Sequence, residues 1–185
     1  MEAKTFRKTD TFLWIGSKAI YTWDRRSDSA ESVEFPGRDT PWIPYVPKFY
    51  AVWEDSDRYQ EELRTALDVH RLTLWGKRRV LLAAPDDLTQ IEAVALEDFI
   101  YAAMGGALKR RNGLTLCSQS EVLLPPAGCF LAVTHSCRCY SVAVVRDGEV
   151  IDKTLLDVND CTRGMLVQQI REYHSSFPDS ATEVF

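Results

Sequence analysis

The stretch Cys129–Leu156, CFLAVTHSCRCYSVAVVRDGEVIDKTLL, decides how this chain is read. It reads as a strand, a tight turn and a second strand. A third run follows Asp147-Gly148, a dipeptide whose tolerance of positive φ matches the twist of an antiparallel hairpin. The expectation is a three-stranded meander. Where the first two strands of such a meander meet, many nucleotide-binding folds hold a phosphate, using glycines that let backbone N–H groups approach and a carboxylate that positions a metal. Here that turn reads Thr134-His135-Ser136-Cys137-Arg138-Cys139, so the scaffold is present without the usual chemistry.

Working outward, a second meander opens the chain. Thr11–Ile15 (TFLWI) turns through Gly16-Ser17-Lys18 into Ala19–Trp23 (AIYTW), and Ser32–Phe35 supplies a third strand. Pro36 to Pro47 holds four prolines with Trp42 and Tyr45, a composition that removes ladder donors and predicts an irregular covering loop. Phe49–Trp53 reads as a further strand. A helix capped by Asp55 or Ser56 runs to about Arg71, with Tyr59, Leu63, Ala66, Leu67 and His70 on one face; His70 is read as a core-edge histidine rather than a ligand. Arg79–Ala84 is a continuous apolar run, as expected of a strand covered on both sides. A helix follows Pro85-Asp86-Asp87 from about Leu88 to Met104, with Leu88, Ile91, Ala95, Phe99 and Ala102 taken as its inner face. Glu97 and Asp98 are adjacent on that helix, diverge by about 100° and are read as solvated. Leu114–Ser118 is a strand, Leu123 to Gly128 a break, and Asp160 to about Ser175 a helix faced by Leu166, Ile170 and Tyr173. The tail from Phe177 shows too little pattern to assign.

Composition narrows the function. A length of 185 residues suits one medium domain or two small lobes. A net charge of −5 argues against a general nucleic-acid binder, and Lys109-Arg110-Arg111 reads as a solvated turn. Five cysteines without regular spacing, and no apolar leader, point to reduced thiols in the cytoplasm. No run approaches the roughly 20 apolar residues a membrane span requires.

Each half is thus a meander followed by a helix. That doubling resembles the actin-like ATPase superfamily, and bacterial MreB most closely. The most specific match is Arg79–Ala107, RVLLAAPDDLTQIEAVALEDFIYAAMGGA, which looks like the family's RVLV-type strand, proline and T-Q-x-E helix closing on alanine and glycine. LWIGSKAIYTW resembles the first phosphate loop, Cys129–Val145 the second, and Asn159-Asp160 the family's glycine-glycine-aspartate. The resemblance implies an α/β, actin-like (ribonuclease H-like) mixed sheet with flanking helices, a first lobe over 1–125 and a partial, incomplete second lobe over 126–185. Departures bear on activity. Trp14 and Thr134 stand at the aspartate positions of the two loops, and Ser136, Cys137 and Arg138 replace glycines. The family's glutamate-proline and short helix are not found between Cys117 and Pro125, and the adenosine-binding region lies beyond the matched stretch.

What the resemblance then implies is shape without ATP hydrolysis: a protein-binding scaffold or adaptor of a bacterial cytoplasmic assembly, as in PilM-type and GspL-type relatives, engaging a protein partner or its own copies. Two alternatives stand beside it. In one, ATP and magnesium are still bound through Gly16, Ser17 and Lys18, and the protein forms filaments. In the other, His135, Cys137 and Cys139 alternate along an extended strand and share one face as zinc or thiol ligands, with Arg138 lowering a neighbouring thiol's pKa. No Gly-x-Ser-x-Gly elbow or assignable catalytic base supports a hydrolase.

Overall fold

The computed structural model describes residues 9–35, 47–68, 78–108, 113–123, 127–178 and 180–184. His70, Lys109-Arg110-Arg111 and the proline-aromatic stretch before Pro47 lie outside them.

Strand β1 (Thr11–Ile15) is antiparallel to β2 (Ala19–Asp24), which is antiparallel to β3 (Ser29–Glu34). β1 also pairs in parallel with β4 (Val80–Ala84), and β4 in parallel with β5 (Leu114–Ser118). The sheet order is β3-β2-β1-β4-β5. Every residue of β4 is buried, as its unbroken apolar run predicts for a strand covered on both faces. A second sheet repeats the pattern. β6 (Cys129–His135), β7 (Cys139–Arg146) and β8 (Glu149–Asp157) form the meander, and β9 (Ala181–Val184) lies parallel to β6, giving the order β8-β7-β6-β9. Asp147 and Gly148 both have positive φ, 51° and 80°, the turn foreseen from their sequence. Strand order and direction in the two sheets are those of the actin-like, ribonuclease H-like architecture.

Helices cover the outer faces. α1 (Ala51–Glu54) follows a 3-10 turn at Lys48–Tyr50, and α2 (Ser56–Ala66) follows at once. Phe49–Trp53 is therefore helical, not a strand. Pro47 supplies a φ of −58° just ahead of the turn, and Phe49, Tyr50 and Trp53 stack with centroids 4.7–5.6 Å apart, which only helical spacing permits. α2 buries Tyr59 and Leu63 against the first sheet, with Leu67 just beyond its end.

α3 (Gln90–Met104) begins two residues later than its expected start because Thr89 caps it. The Thr89 hydroxyl accepts from the Glu92 amide and the Glu92 carboxylate accepts from the Thr89 amide, a capping box. Its inner face is Leu96, Phe99, Ile100, Ala103 and Met104 with Glu92; of the expected face, Phe99 is buried and Leu88 packs against the core. Ile91 and Ala102 face solvent. The helix is apolar on nearly every side, so periodicity could not choose a face.

α4 (Gln119–Leu123) leaves β5 directly. The short helix judged missing between Cys117 and Pro125 is thus present. It packs across both sheets, where the second sheet presents the small residues Ala132 and Ala143. α5 (Arg163–Ser176), capped by Thr162, lays Leu166, Ile170 and Tyr173 over Leu131, Val133, Val142 and Val144. No described helix is long and apolar enough to cross a membrane.

Candidate functional site

Parallel strands β1, β4 and β5 all end at one edge of the first sheet, the place where open α/β sheets bind ligands. Three short segments leave that edge: Gly16-Ser17-Lys18 after β1, Pro85-Asp86-Asp87 after β4, and α4 after β5. The Gln119 amide ties two of them by donating to the Ile15 carbonyl at 2.8 Å. The β6–β7 turn of the second sheet arrives at the same edge. Its Thr134 hydroxyl donates to an Asp86 carboxylate oxygen at 2.5 Å, and the Ser136 hydroxyl donates to Asp87 at 2.8 Å.

Arg138 fills the centre. Its Nε donates to Asp87 Oδ2 at 2.7 Å, Nη1 to Glu92 Oε1 at 2.7 Å, and Nη2 to Glu92 Oε2 at 3.2 Å and to the Asp87 carbonyl at 3.0 Å. The Tyr50 hydroxyl also donates to Glu92, and Lys153 Nζ donates to the Asp86 carbonyl at 2.7 Å. Side chains of Asp87 and Glu92 are only 6% and 7% exposed, so this is a nearly dry, hydrogen-bonded ion cluster. Burial alone would raise the pKa of Glu92. The hydrogen bonds from Arg138, Tyr50 and Thr89 outweigh it and hold the carboxyl at about 2. Burial works against the Arg138 charge too, and the two carboxylates more than offset it, so its pKa rises.

These groups do not fit a phosphate cradle. A helix N-terminus ordinarily invites an anion, and the start of α3 is already served by the protein's own Glu92. The Gly16 amide donates to the Ala19 carbonyl at 2.9 Å, and the Ser136 amide to the Cys139 carbonyl at 2.9 Å. The Arg138 and Cys139 amides both donate to the Ser136 hydroxyl, at 3.0 and 3.1 Å. The amides of Gly16, Ser136, Arg138 and Cys139 are thereby committed within their own turns. Asp86 and Glu92 accept hydrogen bonds through both carboxylate oxygens, and Asp87 through Oδ2 alone, its Oδ1 being buried without a partner among the described residues. Gly16 is half-buried, and Ser17 and Lys18 point to solvent; Trp14, at the first loop's aspartate position, is half-buried in the sheet.

The zinc alternative rested on one extended strand, and that premise fails. His135 ends β6 and Cys139 begins β7, with Cys137 in the hairpin turn between them, so the three do not alternate along a strand. His135 stacks instead on Tyr140, 4.7 Å away. Among the described residues no three His, Cys, Asp or Glu converge as metal ligands. The thiols are not activated either. Burial, reinforced by Asp87, pushes Cys139 up to about 11 and raises Cys137 as well; Arg138 opposes this and loses because its charge is spent on the carboxylates. All five cysteines are free.

Sequence reasoning overlooked Asp86, Asp87 and Glu92 as a unit, and Tyr50 altogether. One signal was available: from Val80 to Ala107 there are five acidic residues and no lysine or arginine, so buried carboxylates there must draw a cation from elsewhere in the chain.

No family model and no curated protein matches the chain. Among solved structures it is similar to MreB5 of Spiroplasma citri bound to ADP, at 16% identity and a TM-score of 0.47, over 91% of this chain and 57% of that one. It is similar to a Bacteroides thetaiotaomicron protein of actin-like ATPase fold and unknown function, at 8% identity and TM-score 0.42, over 100% and 85%. The ethanolamine utilization protein EutJ from Carboxydothermus hydrogenoformans matches at 12% identity and TM-score 0.40, over 89% and 56%. The chain therefore spans less than two thirds of MreB5 and of EutJ. At such identities and TM-scores the fold is read from strand order and direction, not from these likenesses.

Proposed function

We propose that this chain is a non-catalytic actin-like protein, built of lobes over residues 1–125 and 126–185, that works by binding other proteins in a cytoplasmic assembly. One observation carries the reading: Arg138 of the second sheet is ion-paired with Asp87 and Glu92 of the segment after β4, so the chain's own cation already stands against the acids there. A carboxylate held at about 2 is also a poor proton acceptor, so Glu92 is ill suited to activate water. The free thiols favour a reducing compartment.

The reading is tested by thermal melting and phosphate release with magnesium-ATP. ATP at a hundredfold excess over a micromolar Kd would add about 2.7 kcal/mol of stability and raise Tm by several degrees. The expected result is no rise and no phosphate. A magnesium-dependent rise, lost in Lys18→Ala, would instead establish a nucleotide site at the first turn.

A further inference from the structure

The meander of each sheet ends in an edge strand, and the two edges are not alike. β3 is polar: Val33 is its one buried residue, and it exposes no large apolar side chain. β8 has β7 on one side and, among the described residues, no strand on the other, yet Ile151 and Leu155 are 45% and 46% exposed. An apolar edge with outward backbone groups is a template for another strand. Those groups can be identified on β8. The Val158 amide donates to the Arg138 carbonyl at 2.9 Å, and Cys139 lies opposite Asp157, so the hydrogen-bonded pairs with β7 run through Leu156, Thr154 and Asp152. Lys153, Leu155 and Asp157 therefore turn their N–H and C=O groups away from β7. Two of these groups are already used. The Lys153 amide donates to Asp152 Oδ1 at 2.8 Å, and the Asp157 carbonyl accepts from the Cys161 amide at 2.8 Å. The ladder also shifts register here: Asp152 faces Val144 and Val150 faces Val145, which leaves Ile151 as an extra, bulged residue.

We propose that Asp152 guards this edge: its carboxylate occupies the Lys153 amide and so keeps β8 from pairing with β8 of a second copy. The excluded pairing is specific. A two-fold axis at Lys153 sets Ile151 of each copy opposite Leu155 of the other, two apolar pairs on one face of a sheet running through both chains. In that register Lys153 is the central residue and must exchange both its N–H and its C=O with its copy. Asp152 holds the N–H. The Lys153 ammonium does not stand in the way, because Nζ is drawn to the Asp86 carbonyl at 2.7 Å. This inference goes beyond the scaffold reading and does not depend on it.

The test compares the full chain with Asp152→Val and Asp152→Asn by sedimentation velocity. Valine removes the acceptor and favours a strand, whereas asparagine removes the charge and keeps an acceptor oxygen. Asp152 is exposed, so both variants are expected to fold. Asp152→Val is expected to dimerise about tenfold more tightly than wild type, the worth of one hydrogen bond to a carboxylate that no longer competes. Asp152→Asn is expected to behave as wild type. Amide hydrogen exchange locates the contact: Lys153 and Leu155 gain protection in the Asp152→Val dimer. One measurement needs no variant. In the wild-type monomer the Lys153 amide should exchange more slowly, relative to its intrinsic rate, than the Leu155 amide. The proposal is overturned if Asp152→Val associates no more than wild type, or if Asp152→Asn associates as strongly as Asp152→Val. Protection that appears outside β8, or a wild-type Lys153 amide as fast as that of Leu155, overturns it equally.

Discussion

Replacing Arg138 by methionine keeps the aliphatic stem and deletes the guanidinium that faces Asp87 and Glu92. The loss can be sized from Glu92. Its carboxyl titrates near 4.5 when unfolded and at about 2 in the fold, and at 1.36 kcal/mol per pH unit that drop is worth about 3 kcal/mol at neutral pH. Tyr50 and Thr89 share in it, but Arg138→Met also strands Asp87, and breaking a buried pair from one side costs about 3–5 kcal/mol. A deficit of about 3 kcal/mol at pH 7 is therefore expected. Because the folded pKa is the depressed one, the stabilisation is complete above pH 4.5 and disappears as pH falls towards 2. At pH 3 less than half of the Glu92 contribution remains. Urea denaturation reads both values. With a slope of about 2 kcal/mol per molar urea, the midpoint of Arg138→Met should fall by about 1.5 M at pH 7 and by roughly half that at pH 3. A midpoint unchanged at pH 7, or a deficit equal at the two pH values, would refute the claim that this cluster is a dry, ionised lock.

Thr89→Ala removes the reciprocal cap of α3 and should cost about 1 kcal/mol, measured by urea denaturation; Thr89→Ser should restore most of it. Gly148→Ala places a side chain at φ 80° in the β7–β8 turn and should destabilise by about 1 kcal/mol, seen as a lower Tm with an unchanged far-ultraviolet spectrum. Cys117, pushed up to about 12 chiefly by burial, and Cys139, at about 11, should resist a disulfide reagent at pH 7.4 that labels all five thiols in denaturant; fast native labelling of either, located by mass spectrometry, would contradict their assigned environments.

What the sequence disclosed follows the range of the forces involved. The apolar runs in Cys129–Leu156, the Asp147-Gly148 turn and the unbroken run Val80–Ala84 are local signals, and those strands were placed correctly. Phe49–Trp53 misled because aromatic content favours strands on average, while Pro47 and the mutual stacking of three rings favoured a helix here. α3 was found and Phe99 was rightly placed inside, but Ile91 and Ala102 were turned inward and are exposed, since a helix apolar on nearly every side has no preferred inner face until a core exists. The β9 strand is only four residues long and depends on pairing with β6, which lies 51 residues earlier in register. The ion cluster was least legible of all. Asp87 and Arg138 are 51 positions apart, and nothing in a linear reading weighs the cost of leaving three acids dry without a cation.

The hydrogen bonds that Thr134, Ser136, Arg138 and Lys153 send across from the second sheet end on Asp86, Asp87 and Glu92, within a span of seven residues. Load pulling the sheets apart would be shared by this rivet and by α4, which packs on both sheets. In a single-molecule stretching experiment with handles on the two sheets, the first rip should therefore be abrupt, with each half still intact. An assembly that transmits tension through such a subunit would gain a stiff joint whose yield point one arginine helps to set.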